Sequence, residues 1–189
     1  GVGEWVFKNY GRSRNMRGRK FLNDKGVFLL RDGKLDIFLP ESTERCMNFH
    51  KIVIPPFVTN CYILSCEETA ETIIIDPGAE AASILDYIDS NQLQLKFIVA
   101  THGHADHVGA VNEIKRQKGV PFYLHEKEQT VLAAFPLGAR KFGFADENPP
   151  EVDAYLDIDQ TYHFGNNSFR VLETPGHSPG GVCFLFDEH

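Results

Sequence analysis

Apolar residues recur along the chain with two different spacings, and the alternation of those spacings predicts an α/β protein. Short β-branched runs bounded by turn residues predict strands at 51–54, 60–65, 72–75, 97–100, 122–124, 155–159, 161–164, 168–172 and 182–186. Pro55-Pro56 stops the first of these, and Asp76-Pro77-Gly78 closes the third. Residues 79–90 place Ile84, Leu85 and Ile88 on one side of a helix. Residues 108–118 do the same with Val108, Val111 and Ile114, ending at Gly119-Val120-Pro121. A third helix is expected over 126–135. Residues 136–150 contain Gly138, Gly143, Pro149 and Pro150 and predict a long irregular loop. Phe142 and Phe144 within it are candidates for a lid over a substrate, with anchoring of the loop to the core as the alternative. Strand, helix, strand in sequence is the order of a parallel crossover. Upstream, apolar runs at 27–30 and 35–39 flank Arg31-Asp32-Gly33-Lys34, which predicts a hairpin.

Length and charge narrow this picture. A chain of 189 residues suits one domain and can bury a real core. A formal net charge of -7 argues against a nucleic-acid-binding domain. Arg12, Arg14, Arg17, Arg19 and Lys20 form a local basic cluster, read as a solvated arm rather than a phosphate contact. No apolar run is long enough to span a bilayer, and none near the amino terminus resembles a secretory signal. Of Cys46, Cys61, Cys66 and Cys183, no two form a C-x-x-C pair, and all are too sparse for a disulfide scaffold. Cys61 and Cys183 lie in strand-like contexts and read as buried free thiols. A cytoplasmic, reducing location is the expectation.

The chemistry concentrates in A-T-H-G-H-A-D-H-V-G at 100–109, where His102, His104, Asp106 and His107 fall within six residues. The stretch joins a predicted strand to a predicted helix, the position at which open α/β sheets place ligands. Imidazole and carboxylate together suit zinc, iron or manganese. His102 and His104 alternate along an extended segment, so both can face one ion. Asp106 and His107 follow the turn and are better placed for a second. Asp76, at a strand end, reads equally well as a turn-forming residue or as a carboxylate orienting a ligand from behind. His125 reads as a strand-end histidine near the site, not a ligand.

H-G-H-A-D-H at 102–107 resembles the H-x-H-x-D-H motif of the metallo-β-lactamase superfamily. T-N-C-Y-I-L at 59–64, I-I-I-D-P-G at 73–78 and T-P-G-H-S-P-G at 174–180 are similar to strings of its glyoxalase II-like (hydroxyacylglutathione hydrolase-like) branch. The resemblance runs from about residue 48 onward. It divides the chain into an extension at 1–47, carrying the hairpin, and a domain at 48–189. It implies an αββα sandwich of two mixed sheets. It assigns His102, His104 and His177 to a first metal, and Asp106 and His107 to a second. Zinc is the expected ion, one or two per chain, with iron or manganese as alternatives.

The function so implied is hydrolysis of a small-molecule thioester, such as a hydroxyacylglutathione, by a metal-held hydroxide. Asp106 would be a ligand and proton acceptor. Lactone, β-lactam and phosphodiester hydrolysis and persulfide dioxygenation are the family's other chemistries. The family's bridging Asp and last His come after the strand that follows T-P-G-H, and the sequence has no counterpart to either. The expectation is therefore a fold whose C-terminal part is missing, or an incomplete second site. A metal-binding domain without turnover is the non-enzymatic alternative.

Overall fold

The computed structural model describes residues 20–23, 26–31, 34–37, 47–55, 58–144 and 148–186, with side chains from residue 47 onward. Arg12, Arg14, Arg17 and Arg19 lie outside the described residues, as does Cys46.

One sheet is built from β4 (Met47–Ile54), β5 (Thr59–Cys66), β6 (Glu71–Ile75), β7 (Gln94–Val99), β8 (Phe122–Leu124) and β9 (Ala154–Tyr155), in that spatial order. The pairs β4–β5 and β5–β6 are antiparallel, and β6–β7, β7–β8 and β8–β9 are parallel. The parallel half follows from the crossover helix α1 (Ala81–Ser90). The second sheet has the order β10-β11-β12-β1-β2-β3. It contains β10 (Thr161–Phe164), β11 (Asn167–Glu173), β12 (Val182–Phe186), β1 (Lys20–Asn23), β2 (Gly26–Arg31) and β3 (Lys34–Ile37). All its pairings are antiparallel. The expectation of two mixed sheets therefore holds for the first only. β2 pairs with β3 with Arg31 opposite Lys34, as the Asp-Gly pattern predicts. β1, in turn, pairs with β12, with Phe21 opposite Leu185. The sequence division at 47/48 thus cuts across one sheet.

Alternation along the strands sorts side chains between two cores. Tyr62, Leu64, Ile73, Ile75, Phe97 and Val99 face the second sheet and meet Phe164, Phe169, Val171, Phe184 and Phe186. Cys61, Ile63, Ile74 and Ile98 face the other way, onto the helices. Each fully buried side chain of this size contributes about 1.5–3 kcal/mol. Among the described residues every helix packs in the second of these cores, on the outer face of the mixed sheet. Three of the four expected layers are thus seen.

Two helix expectations need correction. The predicted helix at 108–118 is two helices, α2 (Ala105–Val108) and α3 (Val111–Lys118). Between them the Ala110 amide donates to the Pro77 carbonyl at 2.9 Å, tying the break to the Asp76-Pro77-Gly78 turn. The predicted helix at 126–135 is a 3-10 turn (Glu126–Glu128) followed by α4 (Gln129–Ala133). The predicted loop at 136–150 begins as a further helix, α5 (Phe135–Phe142). Its Pro136 sits in the first turn, where no amide is needed, and Gly143 ends it at φ 72°. Gly138 lies inside it because α5 packs closely on α2: a Cβ there would be 2.8 Å from Ala105 Cβ. Phe142 and Phe144 accordingly sit at a helix end and pack against the helical core.

Candidate metal centre

Three segments bring the site together, each at a strand's carboxyl end. β7 runs into Thr101, His102, Gly103 and His104, which enter α2. β6 runs into Asp76. β11 runs into the loop 174–181 carrying His177. Backbone bonds fasten them: Asp76 N donates to Val99 O at 3.1 Å, Val182 N to Thr101 O at 2.9 Å, and Thr174 N to Gly181 O at 2.8 Å. Gly78 permits the close approach of turn and helix, since a Cβ there would fall 1.7 Å from the Asp106 carbonyl oxygen.

His102, His104 and His177 present one ring nitrogen each, and these nitrogens lie within 4.8 Å of one another. His104 Nδ1 and His177 Nε2 are 3.1 Å apart. The His107 ring centroid is 4.1 Å from that of His102, and His107 Nε2 is 3.8 Å from Asp106 Oδ2. His102 and His107 are buried, His104 is half-buried and His177 is exposed, so the cluster opens to solvent at His177. His125 stands apart from the three, its Nε2 3.1 Å from Glu173 Oε1.

Asp76 fixes the histidines from beneath. It is fully buried at φ 54°, so it serves both the turn and the site. Its Oδ1 accepts from Thr101 N at 2.7 Å. Its Oδ2 accepts from Thr101 Oγ1 at 2.7 Å and from His107 Nδ1 at 3.0 Å. Thr101 Oγ1 has one proton and gives it to Asp76, so it must accept from His102 Nδ1, 3.0 Å away. His102 is thereby the Nδ1–H tautomer with a lone pair on Nε2, and His107 carries a proton on Nδ1. His102 Nε2 is buried and has no hydrogen-bond partner among the described residues. A buried orphan acceptor is costly, and a cation shared with His104 and His177 would satisfy it. The donor set therefore fits a divalent metal. Burial pushes the His102 pKa down to about 3, with His107 acting in the same direction and Asp76 opposing. Burial and then His177 lower that of His104. Both shifts favour the neutral imidazole. Cys61, beneath Asp76, is a buried free thiol pushed well up by burial and by the Asp76 charge; Cys183 is likewise buried and free.

Glu128 escaped the sequence reading. Nothing in E-K-E within an expected helix marks it, yet it is fully buried. Its Oε2 accepts from Gly103 N at 2.8 Å and its Oε1 from Gly180 N at 2.6 Å.

The sequence profile described as "Metallo-beta-lactamase superfamily" matches residues 54–189. A relative from Haemophilus influenzae named "Hydroxyacylglutathione hydrolase GloC" is 33% identical over 149 residues, 75% of this chain and 68% of that one. The crystal structure of BLEG-1 B3 metallo-beta-lactamase superposes with a TM-score of 0.64 at 34% identity, over 72% of this chain and 66% of that one. TTHA1623 in a di-iron-bound form gives a TM-score of 0.60 at 34% identity, over 71% and 65%. The chain spans about two thirds of the length of each. No described helix is long and apolar enough to cross a membrane.

Proposed function

The chain belongs to the metallo-beta-lactamase superfamily, and on that premise we propose that it is a metal-dependent hydrolase of small thioesters of the hydroxyacylglutathione type. The observation that carries the reading is the trio His102, His104 and His177, converging around a buried His102 Nε2 that no group among the described residues satisfies. These three imidazoles would hold the first metal, and Asp106 and His107 offer donors for a second. When bound, the metal supplies Lewis acidity, polarising a carbonyl and lowering the pKa of water to about 7. Zinc suits three neutral imidazoles, and iron or manganese suits the same set once carboxylate joins it.

The chain's own residues do the rest. Asp76 and Thr101 keep His102 in its ligating tautomer. Asp106, half-buried with Oδ2 3.8 Å from His107 Nε2, would accept a proton from the attacking water. His177, exposed, marks the side from which substrate enters. Phe144 lies against the turn after α2, its ring 2.5 Å from where a Gly109 Cβ would stand, and stacks obliquely on Phe142 at 5.8 Å. That pair packs against the helical core and would present an apolar surface to a substrate extending past this turn. The named hydrolase GloC supports the thioester over the family's other substrates.

Thiol release from S-lactoylglutathione by metal-replete protein, beside ring opening of a β-lactam, tests this. We expect thioester turnover, lost together with most of the bound metal in His102→Ala/His104→Ala. Unchanged metal content in that double variant by elemental analysis would overturn the site. A metal-loaded protein that leaves the thioester intact would overturn the substrate.

A further inference from the structure

We infer that Glu128 is a positioning residue for metal binding: its carboxylate locks the two ligand-bearing loops together and so sets the spacing of His104 and His177. The inference rests on the metal reading of the site.

Glu128 lies outside the H-G-H-A-D-H stretch and its ligands, on the 3-10 turn after β8. Both its oxygens are used, one on each loop. Gly103, which donates to Oε2 at 2.8 Å, is the residue between His102 and His104. Gly180, which donates to Oε1 at 2.6 Å, follows His177 by three positions. The loops are far apart in sequence; beside Glu128, Val182 N to Thr101 O at 2.9 Å and the His104–His177 ring contact also link them. A carboxylate with no exposed surface and two backbone N–H donors makes charge-assisted bonds that favour a single geometry.

The contact also dictates the residue opposite. A Cβ at Gly180 would stand 2.8 Å from His125 Nδ1, 3.0 Å from Glu128 Cγ and 3.0 Å from Lys127 Cβ. Only glycine lets the His177 loop come this close. Gly103 is less constrained, a Cβ there meeting the Glu128 carbonyl oxygen at 3.3 Å and Glu128 Oε2 at 3.4 Å. Glycine on both loops with one buried acid between them is the arrangement of a clamp. Its effect on the metal is indirect. Ligands whose backbone is held at the right separation bind without first paying to be ordered, and supporting residues of this kind typically change metal affinity about 10–100-fold.

Glu128→Gln, Glu128→Asp, Gly180→Ala and the pair Glu128→Gln/Gly180→Ala separate positioning from mere structure. Cobalt(II) affinity by chelator competition and the cobalt absorption spectrum are read on folded protein, beside the melting temperature of the metal-free form. Glu128→Gln turns one acceptor into an NH2 facing an amide donor and releases one loop. Gly180→Ala displaces the other loop with the acid intact. We expect each to weaken cobalt binding about 10–100-fold and to alter the spectrum, with Glu128→Asp retaining more affinity than Glu128→Gln. The pair should be little worse than the poorer single change, because both break one clamp. Should Glu128→Gln fail to fold, Gly180→Ala alone carries the test. Folded variants that melt lower but bind cobalt with the parent's affinity and spectrum would overturn the inference. A parent protein that takes up no cobalt would overturn the metal reading, and this inference with it.

Discussion

Substituting Asn for Asp76 replaces one buried oxygen by an NH2 and leaves the shape of the side chain almost unchanged. Three donors converge on this carboxylate: Thr101 N and Thr101 Oγ1, each at 2.7 Å, and His107 Nδ1 at 3.0 Å. In the variant the amide oxygen can still accept from Thr101 N. The NH2 then faces Thr101 Oγ1 and His107 Nδ1, both of which are donors in the parent. Both must turn into acceptors. Thr101 then gives its proton to His102 Nδ1, and the imidazole proton moves to Nε2. The His102 nitrogen that faces the site loses its lone pair. In stability, charge-assisted bonds worth about 1.5–3 kcal/mol become neutral ones worth about 0.5–1.5 kcal/mol. Relief from burying a charge offsets part of that, so a net loss of about 2 kcal/mol is expected for the metal-free protein. In metal affinity the loss should be larger, about 10–100-fold, because binding must first restore the tautomers. Urea unfolding measures the first effect, chelator competition the second, and nitrogen NMR of the imidazoles reads the tautomers directly. An Asp76→Asn protein whose His102 and His107 remain Nδ1–H, with undiminished metal affinity, would refute the role given to Asp76.

Two further outcomes follow from burial and pairing. The His102 pKa, held near 3 by burial against an ordinary 6.5, makes the unfolded chain the better proton acceptor between those values. Stability of the metal-free protein is therefore full above about pH 6.5 and falls as pH drops toward about 3, by several kcal/mol at the limit. Urea midpoints taken from pH 6.5 to 5, above most carboxylate titration, should already decline, and less so in His102→Gln; a flat profile would contradict the burial argument. Deleting residues 1–37 strips β1 from β12, where Lys20, Phe21 and Leu22 pair with Phe186, Leu185 and Phe184. The wholly buried β12 becomes an open edge, so the melting temperature should drop sharply or the protein aggregate, and an unchanged melt would mean that this pairing contributes nothing.

What the sequence disclosed was local in origin. His102, His104, Asp106 and His107 share one turn, so their chemistry is visible without knowing the fold. Ile73, Ile74 and Ile75 read as a strand, and alternation along it sends Ile74 to the helices and Ile73 and Ile75 to the second sheet. Where the chain's meaning depends on distant contacts, local signals mislead. Pro136, Gly138 and Gly143 look like loop residues, yet each has a place in α5: a first turn, a close packing contact and a helix end. The strand expected at 155–159 is instead β9, two residues at the sheet edge paired with β8. No pattern in residues 20–23 announces a partner more than 160 positions later. Glu128 is the extreme case, since its carboxylate acquires its role from two glycine amides on other loops.

Asp76 and Glu128 also explain how a site with two fully buried carboxylates can exist before any metal arrives. A buried charge is tolerated only where hydrogen bonds replace its hydration. Asp76 draws on a hydroxyl, an amide and an imidazole; Glu128 draws on two amides. The two therefore act on different parts of the same ligands. Asp76 orients imidazole rings and fixes their protons, while Glu128 spaces the backbones that carry them. Removing the first leaves correctly spaced histidines in the wrong tautomer. Removing the second leaves correct tautomers on loops free to drift. Because the defects are independent, their effects on metal affinity should multiply, unlike those of Glu128 and Gly180, which share one contact.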